Sequence, residues 1–198
     1  MDRRGAAQEE QNILCTLLEW GGNFSFVLRL MSDSTNPTVV VETSKGAITL
    51  ELYQDKAPIS VENFLSYMKK NFFADTIFHR VIPNFMIQCG GFLENMDQKE
   101  TDAPIKNEAD NGVKNDKYTI AMARTQVVDS ATSQFFINTS DNDFLNHAGR
   151  DFGYAVFGKV VDGTEVVDAI GSVATGSKGG HQDVPVEAVV IKSVSADS

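Results

Sequence analysis

The sequence predicts a mainly β protein in which an antiparallel sheet closes on itself and two α-helices cap it. Three observations favour this fold class. Short apolar runs with two-residue alternation recur along the chain, only two segments show helical spacing, and glycine-rich turns separate them. The chain has 198 residues, 42% of them hydrophobic, and is therefore long enough to bury one substantial core.

The first predicted elements are a β-hairpin and a helix. Apolar side chains alternate over residues 39–42 and 48–53, and Ser44-Lys45-Gly46 supplies the turn between these two strands. Pro58 and Ser60 then mark the start of a helix. The apolar side chains of that helix recur at i, i+3, i+4 and i+7, which places on one face Val61, Phe64, Leu65 and Met68.

Five strand-like runs, a second helix and a closing strand follow. The runs cover residues 78–81, 86–89, 118–122, 134–138 and 155–160. The second helix is predicted over residues 162–170 with Asp162 as its N-cap. Its inward positions are then Val166, Val167 and Ile170. Residues 176–180 are interpreted as a flexible turn, and alternation over 186–194 predicts the closing strand.

Residues 1–36 are predicted to be a flexible N-terminal extension without a core of its own, and residues 37–198 to form the domain. The polar stretch 32–37 separates the two parts. Two interpretations of the extension stay open. Either Met31 is the natural start of the protein, or the upstream part is a real tail that packs on the domain.

Charge and cysteine content narrow the partners and the compartment. With 27 acidic and 17 basic residues the formal net charge is −10, which argues against nucleic acid and membranes as partners. The apolar run 13–18 is too short to span a membrane, and its acidic flanks do not suit a secretory signal. Cys15 and Cys89 are the only cysteines. A cytoplasmic location is therefore expected, and the three widely separated histidines predict no metal site.

Polar side chains on two of the predicted strands indicate a binding groove. In an alternating strand Met86 shares a face with Gln88, and Gln134 shares a face with Phe136. A face that also carries Arg80 is a poor core face, but it resembles a ligand site, which is apolar with a few placed donors. The alternative is a set of polar side chains that reach solvent at the rim of the barrel.

These same segments resemble the cyclophilin family of peptidyl-prolyl isomerases. Residues 78–88, Phe-His-Arg-Val-Ile-Pro-Asn-Phe-Met-Ile-Gln, are similar to its central signature, and Gly90-Gly91-Phe92 continue it. Residues 121–124, 133–137 and 157–160 are similar to three further family blocks, in the family's order and spacing. Together the blocks cover residues 38–194, and the chain resembles the compact bacterial cytoplasmic type.

The resemblance implies an eight-stranded antiparallel barrel closed by two helices, and it assigns roles to individual residues. Arg80 would be the catalytic residue. The proline pocket would be formed by Phe85, Met86, Phe136 and Leu145. The donors at the groove floor would be Gln88 and Gln134. The neighbouring rim, which would bind the residues before the proline through backbone groups, would consist of Ala123, Arg124 and Thr125.

Two groove residues depart from the family pattern. Phe144 stands where cyclosporin-sensitive members carry Trp, and a phenyl ring lacks the indole N–H donor. Weak cyclosporin binding is therefore expected. Tyr154 stands where many members have His. Because Tyr keeps a pocket wall with a hydrogen-bonding tip, activity should survive while substrate preference shifts.

The implied function is peptidyl-prolyl cis–trans isomerisation of Xaa-Pro bonds, which assists protein folding. Substrates would be proline-containing peptides and unfolded proteins, bound by a monomer that needs no metal or organic cofactor. The alternative is a non-catalytic binding module for proline-containing segments. The presence of Arg80 together with Gln88 and the pocket residues favours catalysis, because a domain kept only for binding could lose Arg80 freely.

Overall fold

A computed structural model describes residues 36–149 and 151–196, and within them the chain forms ten strands and two α-helices. The strands are β1 Thr38–Thr43, β2 Gly46–Leu52, β3 Arg80–Ile82, β4 Met86–Cys89, β5 Thr119–Met122, β6 Phe135–Asn138, β7 Val156–Asp162, β8 Thr175–Lys178, β9 His181–Pro185 and β10 Ile191–Ala196. The helices are α1 Pro58–Lys69 and α2 Thr164–Gly171, and two short 3-10 helices cover Ala109–Asn111 and Asp143–Leu145.

Eight strands form one antiparallel sheet in the order β10-β1-β2-β7-β5-β6-β4-β3. The edge strands β3 and β10 share no ladder in the described residues. The chain just ahead of each edge pairs instead: Ile77 bridges Val190, and Phe78 N donates to Val189 O at 2.9 Å. The predicted mainly β class with two helices is confirmed. The sheet is a curled half-barrel and not the expected closed barrel, because contacts near the starts of β3 and β10, and not a ladder between these strands, join its two edges within the described residues.

The core fills the inside of this curled sheet and is centred on α1. Phe64 of α1 packs on Phe73, Phe135 and Phe157, with ring centroids 5.0, 5.3 and 5.6 Å apart. These four rings are at most 1% exposed. The predicted helix face is confirmed, since Val61 and Phe64 are buried and Leu65 and Met68 pack against the same cluster. Rings of this size each bury a large apolar area.

Both helices begin without a side-chain cap of their own. At α1 the Glu108 carboxylate reaches in from a distant loop and accepts hydrogen bonds from Ile59 N at 3.0 Å and Ser60 N at 2.8 Å. The predicted cap of α2 is wrong, because Asp162 is still paired in β7, opposite Thr49. The helix starts after Gly163, which takes the left-handed conformation with φ +81°.

The predictions for the last third of the chain need two corrections. The glycine-rich stretch 176–180 is not simply a flexible turn, since β8 and β9 form a separate two-stranded sheet around Gly179-Gly180. Few apolar residues mark these strands, so no alternation was visible. The closing strand starts at Ile191 rather than 186, and Val186 lies 72% exposed.

Two further predictions concern the N-terminal extension and the absence of a membrane span. The predicted extension 1–36, including the Met31 alternative, lies outside the described residues except for Asn36. Asn36 Nδ2 donates to Glu51 Oε1 at 3.1 Å and its Oδ1 accepts from Gln54 N at 3.1 Å, so it is bonded to β2 and the turn that follows. No helix within the described ranges is long and apolar enough to cross a membrane.

Candidate active site

Strand register aligns three predicted groove positions in one row across the sheet, together with Ala121. Arg80 of β3 lies opposite Gln88 of β4, Gln88 lies opposite Phe136 of β6, and Phe136 lies opposite Ala121 of β5. Residues paired across antiparallel strands project to the same face. The next row, which faces the main core, is entirely apolar: Val81, Ile87, Ile137 and Ile120. The alternation predicted from the sequence therefore separates a site face from a core face.

The site face borders a cavity of about 180 Å³. Nine of the predicted site residues line it: Arg80, Phe85, Met86, Gln88, Ala123, Arg124, Phe136, Leu145 and Tyr154. The other three predicted residues lie next to it. Gln134 Oε1 accepts a hydrogen bond from Gln88 Nε2 at 2.9 Å, and the Phe144 ring stacks on Phe85 with centroids 5.5 Å apart. Thr125 lines a larger cavity of about 640 Å³ that shares Arg124 and Tyr154 with the first.

One half of the smaller cavity is apolar and almost buried. Met86, Phe136 and Leu145 are 2%, 4% and 9% exposed. The Phe136 and Tyr154 rings meet edge to face with centroids 5.7 Å apart, a favourable aromatic geometry. These walls are preformed and suit a small apolar ring.

The other half of the cavity is polar. The Arg80 side chain is exposed and makes no ion pair or hydrogen bond within the described residues, so its guanidinium is free to donate to a ligand. Gln88 is held by its bond to Gln134. Gly91 gives Gln134 its room, because a Cβ at position 91 would lie 2.6 Å from Gln134 Cγ. The site thus places a free cation and a fixed amide beside an apolar slot.

Comparison with known proteins places this arrangement in a family. Residues 38–196 match the family model described as cyclophilin type peptidyl-prolyl cis-trans isomerase. This chain belongs to that family. The match covers every strand of the large sheet, from the start of β1 to the end of β10, and it includes all nine cavity-lining residues.

Bacterial relatives share most of the domain. The chain is 60% identical over 163 residues to a peptidyl-prolyl cis-trans isomerase of Acinetobacter baylyi, covering 82% of this chain and 87% of the relative. It is 57% identical over 160 residues to peptidyl-prolyl cis-trans isomerase B of Escherichia coli, covering 79% and 98%. These identities and the family match support peptidyl-prolyl cis-trans isomerase activity for this protein.

A solved structure supports the fold. The crystal structure of a Cryptosporidium parvum cyclophilin in the presence of the dipeptide Ala-Pro has a TM-score of 0.66 and 26% identity to this chain. The likeness covers 81% of this chain and 99% of that one. A second crystal structure of the same parasite protein gives a TM-score of 0.67.

In the present chain, the Arg124 side chain bonds to other parts of the protein. Only 5% of it is exposed, and its guanidinium pairs with the Asp151 carboxylate. Its Nε donates to Gly153 O at 3.0 Å, its Nη1 donates to Thr125 O at 3.0 Å, and its Cζ lies 4.5 Å from the Tyr154 ring centroid. The family resemblance implied binding through backbone groups at this position. The side chain instead supports the Tyr154 wall through a cation–π contact.

The acid that faces Arg124 is stabilised as a carboxylate. A hydrogen bond from Gly153 N, at 3.0 Å, and next the Arg124 charge lower the pKa of the Asp151 carboxyl. Among the predicted backbone donors of the rim, Ala123 N is bonded to Gln134 O and Thr125 N to Ser130 Oγ. Within the described residues no hydrogen bond uses the Arg124 N–H.

His79, next to Arg80 in the chain, is held neutral. His79 is 4% exposed, and its ring centroid lies 4.6 Å from that of Phe92. The His181 ring contacts the same Phe92 ring, with centroids 5.1 Å apart. Burial, and next the charge of His181, lower the pKa of His79 to about 4. No sequence pattern indicated that these two histidines approach one aromatic ring. No group of three His, Cys, Asp or Glu side chains among the described residues is arranged to hold a metal.

Proposed function

We propose that Arg80 catalyses the rotation of Xaa-Pro peptide bonds by donating a hydrogen bond to the proline nitrogen. The observation that carries the proposal is the Arg80 guanidinium, which has no partner among the described residues and lines the cavity in one row with Gln88 and Phe136. The substrates are proline-containing peptides and unfolded proteins, and the rotation assists their folding.

The reaction breaks no covalent bond. Amide resonance opposes rotation with a barrier of roughly 18–20 kcal/mol, and uncatalysed exchange takes about 10–100 s at 25 °C. When the bond is twisted halfway, resonance is lost and the nitrogen lone pair becomes available as an acceptor. A donor aimed at that nitrogen stabilises the twisted state more than either planar state, and only such differential binding accelerates the step.

The chemistry of an arginine suits this task. Its guanidinium stays protonated and presents a rigid fork of N–H donors. Gln88 lies opposite Arg80 and is itself held by Gln134, which leaves the floor of the site fixed while the substrate turns. Preorganised donors of this kind cost no reorganisation at the moment of reaction.

The apolar half of the cavity supplies the second contribution. Met86, Phe136 and Leu145 hold the proline ring, so one side of the bond is fixed and the other rotates. These walls also exclude water, which strengthens the hydrogen bond from Arg80. Lowering the barrier by about 7 kcal/mol would give roughly 10⁵-fold acceleration. Arg80 supplies a few kcal/mol of it, and the pocket much of the remainder.

The expected ligands and location follow from the same sequence features. Weak cyclosporin binding is proposed because Phe144 offers a phenyl ring without an N–H donor. The protein is proposed to act as a cytoplasmic monomer without a cofactor, and its acidic net charge of −10 does not favour nucleic acid or membranes.

The test compares wild type with Arg80→Ala and Arg80→Lys on an Ala-Pro-Phe peptide, with circular dichroism as the check on folding. Arg80→Ala is expected to lower kcat/KM by about 10²–10³-fold, the range for losing one transition-state donor. Arg80→Lys, which keeps a charge but loses the fork, is expected to fall between the two. Full activity of a folded Arg80→Ala would contradict the proposal. A folded wild type that binds the peptide without accelerating exchange would favour the non-catalytic binding module.

A further inference from the structure

Three buried asparagine side chains lie behind the walls of the proline cavity. Asn115, Asn138 and Asn142 are 1%, 0% and 2% exposed. None of them lines the cavity. A buried carboxamide is costly unless its donors and acceptor are bonded, so the partners of these three side chains show what the burial achieves.

Asn142 holds the tip of the β3–β4 hairpin, which carries Phe85. Its Nδ2 donates to the carbonyl oxygen of Phe85 at 2.9 Å and to Asn138 Oδ1 at 2.7 Å. The same Phe85 carbonyl accepts from Thr139 N at 3.0 Å. Both acceptor positions of this carbonyl are therefore used, and the backbone under the Phe85 wall is fixed from two sides.

Asn115 holds the opposite wall. Its Nδ2 lies 3.3 Å from Leu145 O and 3.4 Å from Tyr154 O. Tyr154 N donates to the same Leu145 carbonyl at 3.0 Å. The Asn146 side chain completes the arrangement, since its Oδ1 accepts from Asn115 N at 2.7 Å and from Asn115 Nδ2 at 3.2 Å.

Asn138 joins the two walls into one chain of amides. Its Nδ2 donates to Asn115 Oδ1 at 3.3 Å and to Thr119 Oγ1 at 2.9 Å, while its Oδ1 accepts from Asn142. The Thr119 hydroxyl donates its own hydrogen to Asp116 O at 2.7 Å. Thr119 Oγ1 must then accept from Asn138, which fixes the orientation of that amide and the direction of the chain.

We propose that Asn115, Asn138 and Asn142 are positioning residues that set the width of the proline cavity. They act through Phe85, Leu145 and Tyr154 and do not touch the substrate. The inference rests on the proposed function, because the width matters only if the cavity holds the proline ring. The walls come from separate segments of chain, and an error of about 1 Å in such a site can cost up to ~100-fold in rate.

Ring-size selectivity tests the inference on the full chain. Exchange of Ala-Pro-Phe is measured by NMR beside the same peptide with pipecolic acid, whose ring has one more methylene. Asn142→Ala is expected to lower kcat/KM for the proline peptide about 10-fold and to shrink the preference for proline over pipecolate by a similar factor. A general loss of stability does not change a ratio between two substrates.

Two controls separate positioning from other effects. Asn63→Ala removes another side-chain bond, from Nδ2 to Thr132 O at 2.7 Å, that lies outside the cavity lining. It is expected to keep the ratio of wild type. Arg80→Ala is expected to lower the rates for both peptides and also to keep the ratio.

A second variant covers the case in which Asn142→Ala does not fold. Asn146 is only partly buried, and Asn146→Ala loosens the Leu145 and Tyr154 wall alone. It is expected to change the ratio in the same direction, by about 3-fold. A folded Asn142→Ala or Asn146→Ala with an unchanged ratio would contradict the inference and leave the proposed function standing. A folded wild type that accelerates neither peptide would instead overturn the proposed function, and this inference with it.

Discussion

Arg80 and Arg124 are both arginines at the cavity, but they differ in exposure and in bonding. Arg80 is exposed and unpaired within the described part of the chain, whereas the Arg124 side chain is 5% exposed and bonded to Asp151, Gly153 and Thr125. A catalytic donor needs N–H groups that are not already bonded to the protein, whereas a wall needs bonds that hold it in place. The two arginines divide these tasks between them.

Loss of the Arg124 side chain is expected to destabilise the protein and loosen the Tyr154 wall. Arg124→Ala removes several charge-assisted hydrogen bonds, and the free energy of unfolding should fall by about 2 kcal/mol. The loss stays moderate because Asp151 is 61% exposed and remains hydrated. Urea denaturation measures it. Arg124→Lys, which keeps only the ion pair, should recover part of the loss, and an unchanged Arg124→Ala would refute this role.

His79 predicts how stability depends on pH. Its pKa is about 4 in the folded protein against an ordinary value of 6.5, so the unfolded chain binds the proton more readily. Stability from this group is complete above pH 6.5 and is lost as the pH falls towards 4. At pH 4.5 the loss should reach about 2–3 kcal/mol.

Urea denaturation at pH 7 and 4.5 isolates this contribution. His79→Gln should remove that part of the pH dependence, and His181→Gln should keep most of it. If wild type and His79→Gln lose stability equally between the two pH values, the buried neutral state of His79 is wrong.

At the scale of elements, a glycine decides how α2 leaves the sheet. Gly163 has φ +81°, and a Cβ there would lie 2.3 Å from the carbonyl oxygen of Ala47 in β2. Gly112 has a similar φ of +78° but no neighbour within 4 Å of such a Cβ. The two positions therefore share the backbone strain and differ only in the close approach.

Replacing each glycine by Ala separates strain from crowding. Gly112→Ala should cost about 1 kcal/mol, the left-handed penalty alone. Gly163→Ala should cost at least about 2 kcal/mol more, because β2 and the start of α2 must move apart. Thermal unfolding measures both. Equal losses at the two positions would show that the contact with Ala47 does not limit the fold.

Elements with a clear apolar period were predictable, and those fixed by distant partners were not. The strand over residues 86–89 and the groove face of Gln88 follow from alternation and match β4. The β8–β9 hairpin carries few apolar residues and is defined by pairing, such as Lys178 with His181. Asp162 has the chemistry of a cap, but its pairing with Thr49 keeps it in β7.

In the site, too, local sequence patterns were predictable and contacts between distant residues were not. Its lining was predictable because the family blocks are local in sequence. The ion pair of Arg124 with Asp151 and the chain of asparagines join residues tens of positions apart. One signal was visible: asparagine recurs every fourth residue at 107, 111 and 115, and again at 138, 142 and 146. Only the fold shows that members of both sets meet behind the cavity.

For the whole molecule, the described residues carry the entire sheet, both helices and the cavity. The family match likewise begins at residue 38. Deletion of residues 1–35, which leaves Asn36 and its bonds to Glu51 and Gln54, is expected to keep kcat/KM within about twofold of the full chain. The peptide exchange assay and thermal unfolding check this. A truncated protein that loses activity or no longer folds would show that the N-terminal part belongs to the domain.

Arg80 is proposed to stabilise the twisted bond and not the planar substrate. NMR of Ala-Pro-Phe with wild type and with Arg80→Ala measures the dissociation constant and the exchange rate of the bound peptide separately. The dissociation constant should change by no more than about threefold, while bound-state exchange falls by about 10²–10³-fold. Weakened binding with bound-state exchange as fast as in wild type would contradict the claim, because Arg80 would then only hold the substrate.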